Sequence, residues 1–184
     1  MTSWLIAFAY GVGMVASPAP AQAQPQSDVS KQIINAPAPE SFAVYGLPAQ
    51  PAVVKDKNVQ GGRALRVAIP AASDQPWTIG LTSTVTQPVK KGDKLVVAAW
   101  IRAATLPDGA TSAKIAALQI NLSKAPYTPV FKGEAEATAA WKMVHASGIA
   151  DRDYAAGELT ASMQLATGKQ VLDVGPILVL DLNK

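Results

Sequence analysis

Apolar and polar residues alternate with a period of two through most of the chain. Leu65, Val67 and Ile69 interleave with Ala64, Arg66 and Ala68. Ile79 and Leu81 interleave with Thr78, Gly80 and Thr82, and Leu95, Val97, Ala99 and Ile101 with Val96, Ala98, Trp100 and Arg102. The pattern returns at Leu118, Ile120 and Leu122, and again at Leu159, Ala161, Met163 and Leu165. Successive side chains on a strand point to opposite faces, so each segment predicts a strand with one apolar face. Lys91-Gly92-Asp93, Pro107-Asp108-Gly109 and Thr167-Gly168-Lys169 predict turns between them. Residues 171–182 are apolar on both sides, which predicts a central strand kinked at Gly175-Pro176. Phe42 and Tyr45 read as core residues of a first strand. No stretch of a dozen residues carries a helical stripe, and Ala-rich 135–140 is too short to stand as a helix. Many short strands at regular spacing predict an all-β, two-sheet antiparallel sandwich.

The N-terminal region breaks this pattern. No charged residue precedes Asp28. Residues 4–15 form an apolar run interrupted by Gly11 and Gly13, shorter than the roughly 20 residues of a membrane span. Ala21-Gln22-Ala23 then supplies an A-x-A cleavage pattern. Residues 1–23 are therefore expected to be a signal peptide, with the mature chain beginning near Gln24 and no membrane span after cleavage. The absence of Cys suits export to a bacterial periplasm or exterior without oxidative folding. Pro- and Gln-rich residues 24–40 are expected to be an extended lead-in, and 41–184 a single domain.

Composition narrows the chemistry. The 184 residues are 49% hydrophobic and only 16% charged, against roughly 25% charged in an average soluble domain. With no Cys and one His, thiolate chemistry and multi-His metal centres are excluded. The net charge is +3, and the longest basic run is Lys90-Lys91, so no nucleic-acid footprint is present. His145 shares a strand face with Met143, Ser147 and Trp141 and reads as structural; no G-x-S-x-G elbow accompanies it. Glu40, Glu134, Glu136 and Glu158 lie in or beside loops. Glu134 and Glu136 are too close along one strand face to straddle a glycosidic bond. Gly61-Gly62 reads as a turn rather than a phosphate loop. A non-enzyme is expected.

An ordered series of motifs adds a likeness. Gly61-Gly62-Arg63-Ala64-Leu65-Arg66-Val67 comes first, followed by Pro76-Trp77. Val89-Lys90-Lys91-Gly92-Asp93 then leads into Leu95 to Ala103. Tyr127 follows in a Pro-flanked loop, Trp141-Lys142 opens a strand, and Gly168 to Pro176 begins the last one. In order and spacing this resembles the carbohydrate-binding modules of families 4 and 9, galactose-binding-like jelly rolls often attached to glycoside hydrolases. The resemblance covers roughly residues 40 to 182. It implies a jelly-roll sandwich that holds an oligo- or polysaccharide on one sheet face, without catalysis, beside a possible separate glycoside hydrolase partner. It also implies a structural role for Trp141 in the core and a structural calcium, with Asp173 and Asp181 as its ligands.

Strand alternation then suggests the ligand face. The outward set is Trp100 with Arg102, Gln119 with Asn121, and Ser162 with Gln164. A sugar presents apolar C–H faces and a rim of hydroxyls, which a flat aromatic and amide side chains can meet. If the three strands are neighbours, as the resemblance implies, Trp100, Gln119 and Gln164 form a platform to which Arg102 and Asn121 add hydrogen bonds. Trp77 and Tyr127 would join from loops, and Tyr154, in the Asp151-Arg152-Asp153 turn, would sit at the rim. One stacked Trp with a few hydrogen bonds implies weak binding, roughly micromolar to millimolar. The 6% aromatic content leaves two other readings: a protein-interaction or assembly module on the same scaffold, or a small glycan hydrolase or esterase.

Overall fold

The alternating segments become ten strands in the computed structural model, which describes residues 29–184. A four-residue helix, α1 (Val29–Gln32), leads into β1 (Ala43–Tyr45), β2 (Ala52–Lys55), β3 (Arg63–Ile69), β4 (Gly80–Thr84) and β5 (Lys94–Thr105). Then follow β6 (Ala113–Leu122), β7 (Pro129–Ala137), β8 (Lys142–Ile149), β9 (Leu159–Gln164) and β10 (Gln170–Asp181). The expected signal peptide and its cleavage site lie outside the described residues. Among the described residues, no helix is long and apolar enough to cross a membrane.

The strands build two antiparallel five-stranded sheets. The first has the order β1-β4-β9-β6-β7, the second β2-β3-β10-β5-β8. The expected all-β two-sheet sandwich is the observed architecture. Its core is the meeting of the two inner faces. Leu65, Val67, Ile69, Leu95, Val97 and Ile101 of the second sheet face Leu81, Leu118, Ile120, Leu159 and Met163 of the first, all buried. Withdrawing each such side chain from water contributes roughly 1.5–3 kcal/mol, and truncating one to Ala costs about 2–5 kcal/mol.

The last strand is central, between β3 and β5, and its register with β5 shifts between Val174 and Ile177. Gly175 sits at that shift. A Cβ there would fall 2.6 Å from Val59 Cγ2 and 3.0 Å from Trp100 Cβ, so the close approach of these neighbours requires glycine.

Two features depart from the sequence pattern. Strand β7 is hidden because its inward positions include Gly133 and Ala135, which carry too little apolar bulk to mark a strand. That smallness has a use. Gly133 lies against Ala146, and Phe131 packs over Gly148, so edge strands β7 and β8 of different sheets close against each other. Residues 33–39, expected to be lead-in, are woven into the sandwich. Ile33 bridges Leu180 of the second sheet, while Asn35 bridges Val85 beside the first. Ile34 is fully buried. Asn35 donates to Ser83 Oγ and the Ile177 carbonyl, both at 2.8 Å, and accepts from the Val179 N–H at 2.8 Å. One buried amide thus ties the two sheets together.

Candidate functional site

The outer face of the first sheet is organised in rows, because antiparallel partners share a face. The middle row runs Thr82, Ser162, Gln119 across β4, β9 and β6. On one side lie Gly80, Gln164 and Ala117; on the other, Thr84, Thr160 and Asn121. Of these, Thr82, Ser162, Gln119, Gln164, Thr160 and Asn121 floor a cleft of about 690 Å³, within the usual range of small-molecule sites. Tyr45, Trp77, Pro126 and Tyr127 form its walls.

The aromatic walls are held out by local geometry. Trp77 sits on a 3₁₀ turn that Pro76 starts, and is 53% exposed. Tyr127 takes a left-handed conformation, φ 57°, fixed by its N–H bonding to the Lys124 carbonyl at 2.9 Å, and is 59% exposed. Tyr45 is 39% exposed. Its ring lies over Gly80, where any Cβ would run into the Tyr45 hydroxyl. Partial burial pushes the Tyr45 phenol above its ordinary pKa. Three large rings left this open to water on one face mark an interaction surface rather than a core.

The floor divides into wired and unengaged groups. Asn121 Oδ1 accepts from Ser162 Oγ at 2.6 Å and Gln119 Nε2 at 3.3 Å, while Asn121 Nδ2 donates to the Leu122 carbonyl at 2.8 Å. Thr160 Oγ1 donates to the Ser83 carbonyl at 3.1 Å. These bonds hold Gln119, Asn121, Thr160 and Ser162 in place, each nearly buried. The side chains of Gln164 and Thr82, half-buried, make no hydrogen bond among the described residues and can donate and accept. None of the lining residues is Asp, Glu or His.

The sequence-derived site residues therefore separate into two groups. Gln119, Asn121, Gln164, Trp77 and Tyr127 are brought together in the cleft. Trp100 and Arg102 are not. Their strand, β5, lies between β10 and β8 in the second sheet, so their outward side points away from the cleft across the whole sandwich. There they serve the fold. Trp100 Nε1 donates to Gln60 Oε1 at 3.1 Å. Arg102 pairs with Asp173 at 2.8 Å and Asp56 at 3.1 Å, and lies 5.2 Å over the Trp141 ring. Trp141 Nε1 donates to Asp56 Oδ2 at 3.0 Å, so this Trp is half-buried on the outer face rather than in the core.

Alternation also held the missed residues. Phe42 and Tyr45 are three apart, so a regular strand puts them on opposite faces; Phe42 is buried and Tyr45 faces the cleft. Thr160 shares its parity with Ser162 and Gln164. Tyr154 is not at the rim. It is buried, bonded to Asp151 and covered by Arg152 at 4.1 Å, and burial with Asp151 pushes its phenol up to about 12. His145 is exposed on the outer face of β8, in a separate depression of about 530 Å³.

The expected calcium ligands do not fit a cation. Asp173 is fully buried, and Arg66 holds it at 2.8 and 2.9 Å, with Arg102 completing the shell. Burial pushes its carboxyl up, but the bonds and charges of both guanidinium groups outweigh this, and its pKa lies below the ordinary value of 3.8. Asp181 accepts from the Asn183 N–H at 3.0 Å. Its Oδ2 makes no hydrogen bond but faces Lys184 Nζ at 3.5 Å, and that ammonium also donates to the Pro88 carbonyl at 3.0 Å and Gln87 Oε1 at 3.2 Å. The two Asp stand eight residues apart on one strand, about 26 Å, and each already has its cation. Among the described residues, no three His, Cys, Asp or Glu are grouped to hold a metal.

No protein-family model matches the chain, and no curated protein matches it in sequence. Solved structures do. A CBM4 module shares 19% identity at a TM-score of 0.59, over 78% of this chain and 96% of that one. The N-terminal cellulose-binding domain of Cellulomonas fimi beta-1,4-glucanase C shares 18%, at 0.56, over 79% and 91%. The CBM22-1 xylan-binding domain of Paenibacillus barcinonensis Xyn10C shares 12%, at 0.53, over 82% and 92%. At these identities the likeness is one of fold, and the fold is that of carbohydrate-binding modules.

Proposed function

We propose that this protein binds an oligo- or polysaccharide in the cleft on its first sheet, without chemical turnover, and acts outside the cytoplasm. The observation that carries the reading is the pairing of three exposed rings, Tyr45, Trp77 and Tyr127, with a neutral amide and hydroxyl floor. Rings cover the C–H faces of a pyranose, while Gln164, Thr82 and Gln119 Oε1 meet its hydroxyls. The absence of carboxylates from the lining supports a holding role, since glycoside hydrolysis generally needs two of them flanking the bond. The cellulose- and xylan-binding domains of the same fold point the same way. Export rests on the apolar run and Ala21-Gln22-Ala23. A separate glycoside hydrolase is the partner such a module would serve. A glycan array tests the reading. Signal from the native protein, lost in Trp77→Ala/Tyr127→Ala, is expected; a native protein silent across the array overturns it.

A further inference from the structure

The cleft rows can be followed one strand further. Gln119 of β6 pairs with Lys132 of edge strand β7, so the middle row reads Thr82, Ser162, Gln119, Lys132. Lys132 is exposed and ends the middle row, while Glu134, the next outward residue of β7, stands opposite the bulge at Ala117. The nearest carboxylate along its own strand face, Glu134, is engaged by Lys114 at 3.3 Å. Directly paired residues have Cβ atoms about 5 Å apart, so the ammonium stands within a lysine's reach of whatever Gln119 contacts. An edge lysine also discourages strand-to-strand aggregation. That role would be met at any outward position of β7, whereas this one is paired with Gln119 of the cleft floor.

Resting on the glycan-binding reading above, we propose that the ligand is a glycan bearing acidic substituents, such as uronic acids, and that Lys132 selects for them. The neutral floor holds the backbone of the sugar chain, and the ammonium meets a carboxylate that projects toward β7. The pairing is solvent-exposed, so its effect is modest and screened by salt.

Affinity electrophoresis against a panel of uronic-acid-bearing polysaccharides, each run native and after reduction of its carboxyls to alcohols, tests this. The native protein should bind the acidic forms about two- to fivefold more tightly than their reduced counterparts at low salt. The gap should close at about 1 M NaCl, where the screening length is about 3 Å. It should also close in Lys132→Gln and invert in Lys132→Glu, with binding to the reduced forms kept in both. Equal binding of acidic and reduced forms by the native protein, or a gap that survives Lys132→Gln, overturns the proposal. Binding to none of the panel in either form, from a protein that gives signal on the glycan array, overturns this proposal alone; silence on both overturns the glycan-binding reading with it.

Discussion

The two outer faces of this sandwich carry similar residues and use them in opposite ways. The second sheet presents two Trp, two Arg and two Asp, and nearly every polar atom among them is taken by another. The first presents two Tyr, one Trp and a floor of amides and hydroxyls, of which Gln164 and Thr82 make no hydrogen bond among the described residues. A face whose hydrogen-bonding groups are satisfied internally has little to gain from a ligand. A face with open donors, open acceptors and half-exposed rings gains both contacts and dehydration. Residue type alone does not separate structural aromatics from binding ones; the state of their partners does.

This contrast can be pressed hardest on the structural side. Asp173→Ala leaves Arg66 and Arg102 facing each other without their shared carboxylate. It is expected to cost about 3 kcal/mol in urea denaturation, reduced to the extent that Arg66 is solvated, while the folded fraction keeps full glycan affinity. Unchanged stability would mean that the second face is not held by this network. The same carboxylate sets an acid limit. Its folded pKa lies below 3.8, so its contribution is complete above that value and disappears as pH falls through the lower folded one. The pH dependence of the melting temperature below about pH 4 should therefore be shallower in Asp173→Asn.

A smaller effect is expected at Asp181, the other buried carboxylate among the described residues. Because Lys184 already supplies the cation at Asp181, calcium and EDTA should leave the melting temperature unmoved. Lys184→Met should lower it by about 1 kcal/mol equivalent, the scale of a charge-assisted pair that is partly exposed. A calcium-dependent rise in the native protein would contradict the assignment of Lys184.

Much of this fold is readable from alternation, and the limits of that reading are physical. Leu65, Val67 and Ile69, or Leu159, Ala161 and Met163, declare both strand and buried face, because the pleat sorts side chains by parity. Parity also placed Gln119, Asn121 and Gln164 outward on what proved to be one surface. It cannot say which sheet a strand joins. Trp100 is outward as parity says but belongs to the other sheet, since the neighbours of β5 are β10 and β8, set by pairings 41 to 86 residues away in sequence. Strand β7, and with it Lys132, was hidden by Gly133 and Ala135, whose small size serves contact with β8. Tyr45 was the avoidable miss, because its odd spacing from Phe42 already set the two on opposite faces.

On the proposed reading the ligand face is the first sheet and not the second. Isothermal titration calorimetry with one array-identified glycan, run in parallel on Trp77→Ala and Trp100→Ala, tests it most directly. Trp77→Ala is expected to lose about tenfold or more in affinity with its stability nearly intact, as befits a half-exposed anchor. Trp100→Ala should be less stable yet bind like the native protein. Binding lost in Trp100→Ala and kept in Trp77→Ala would contradict it.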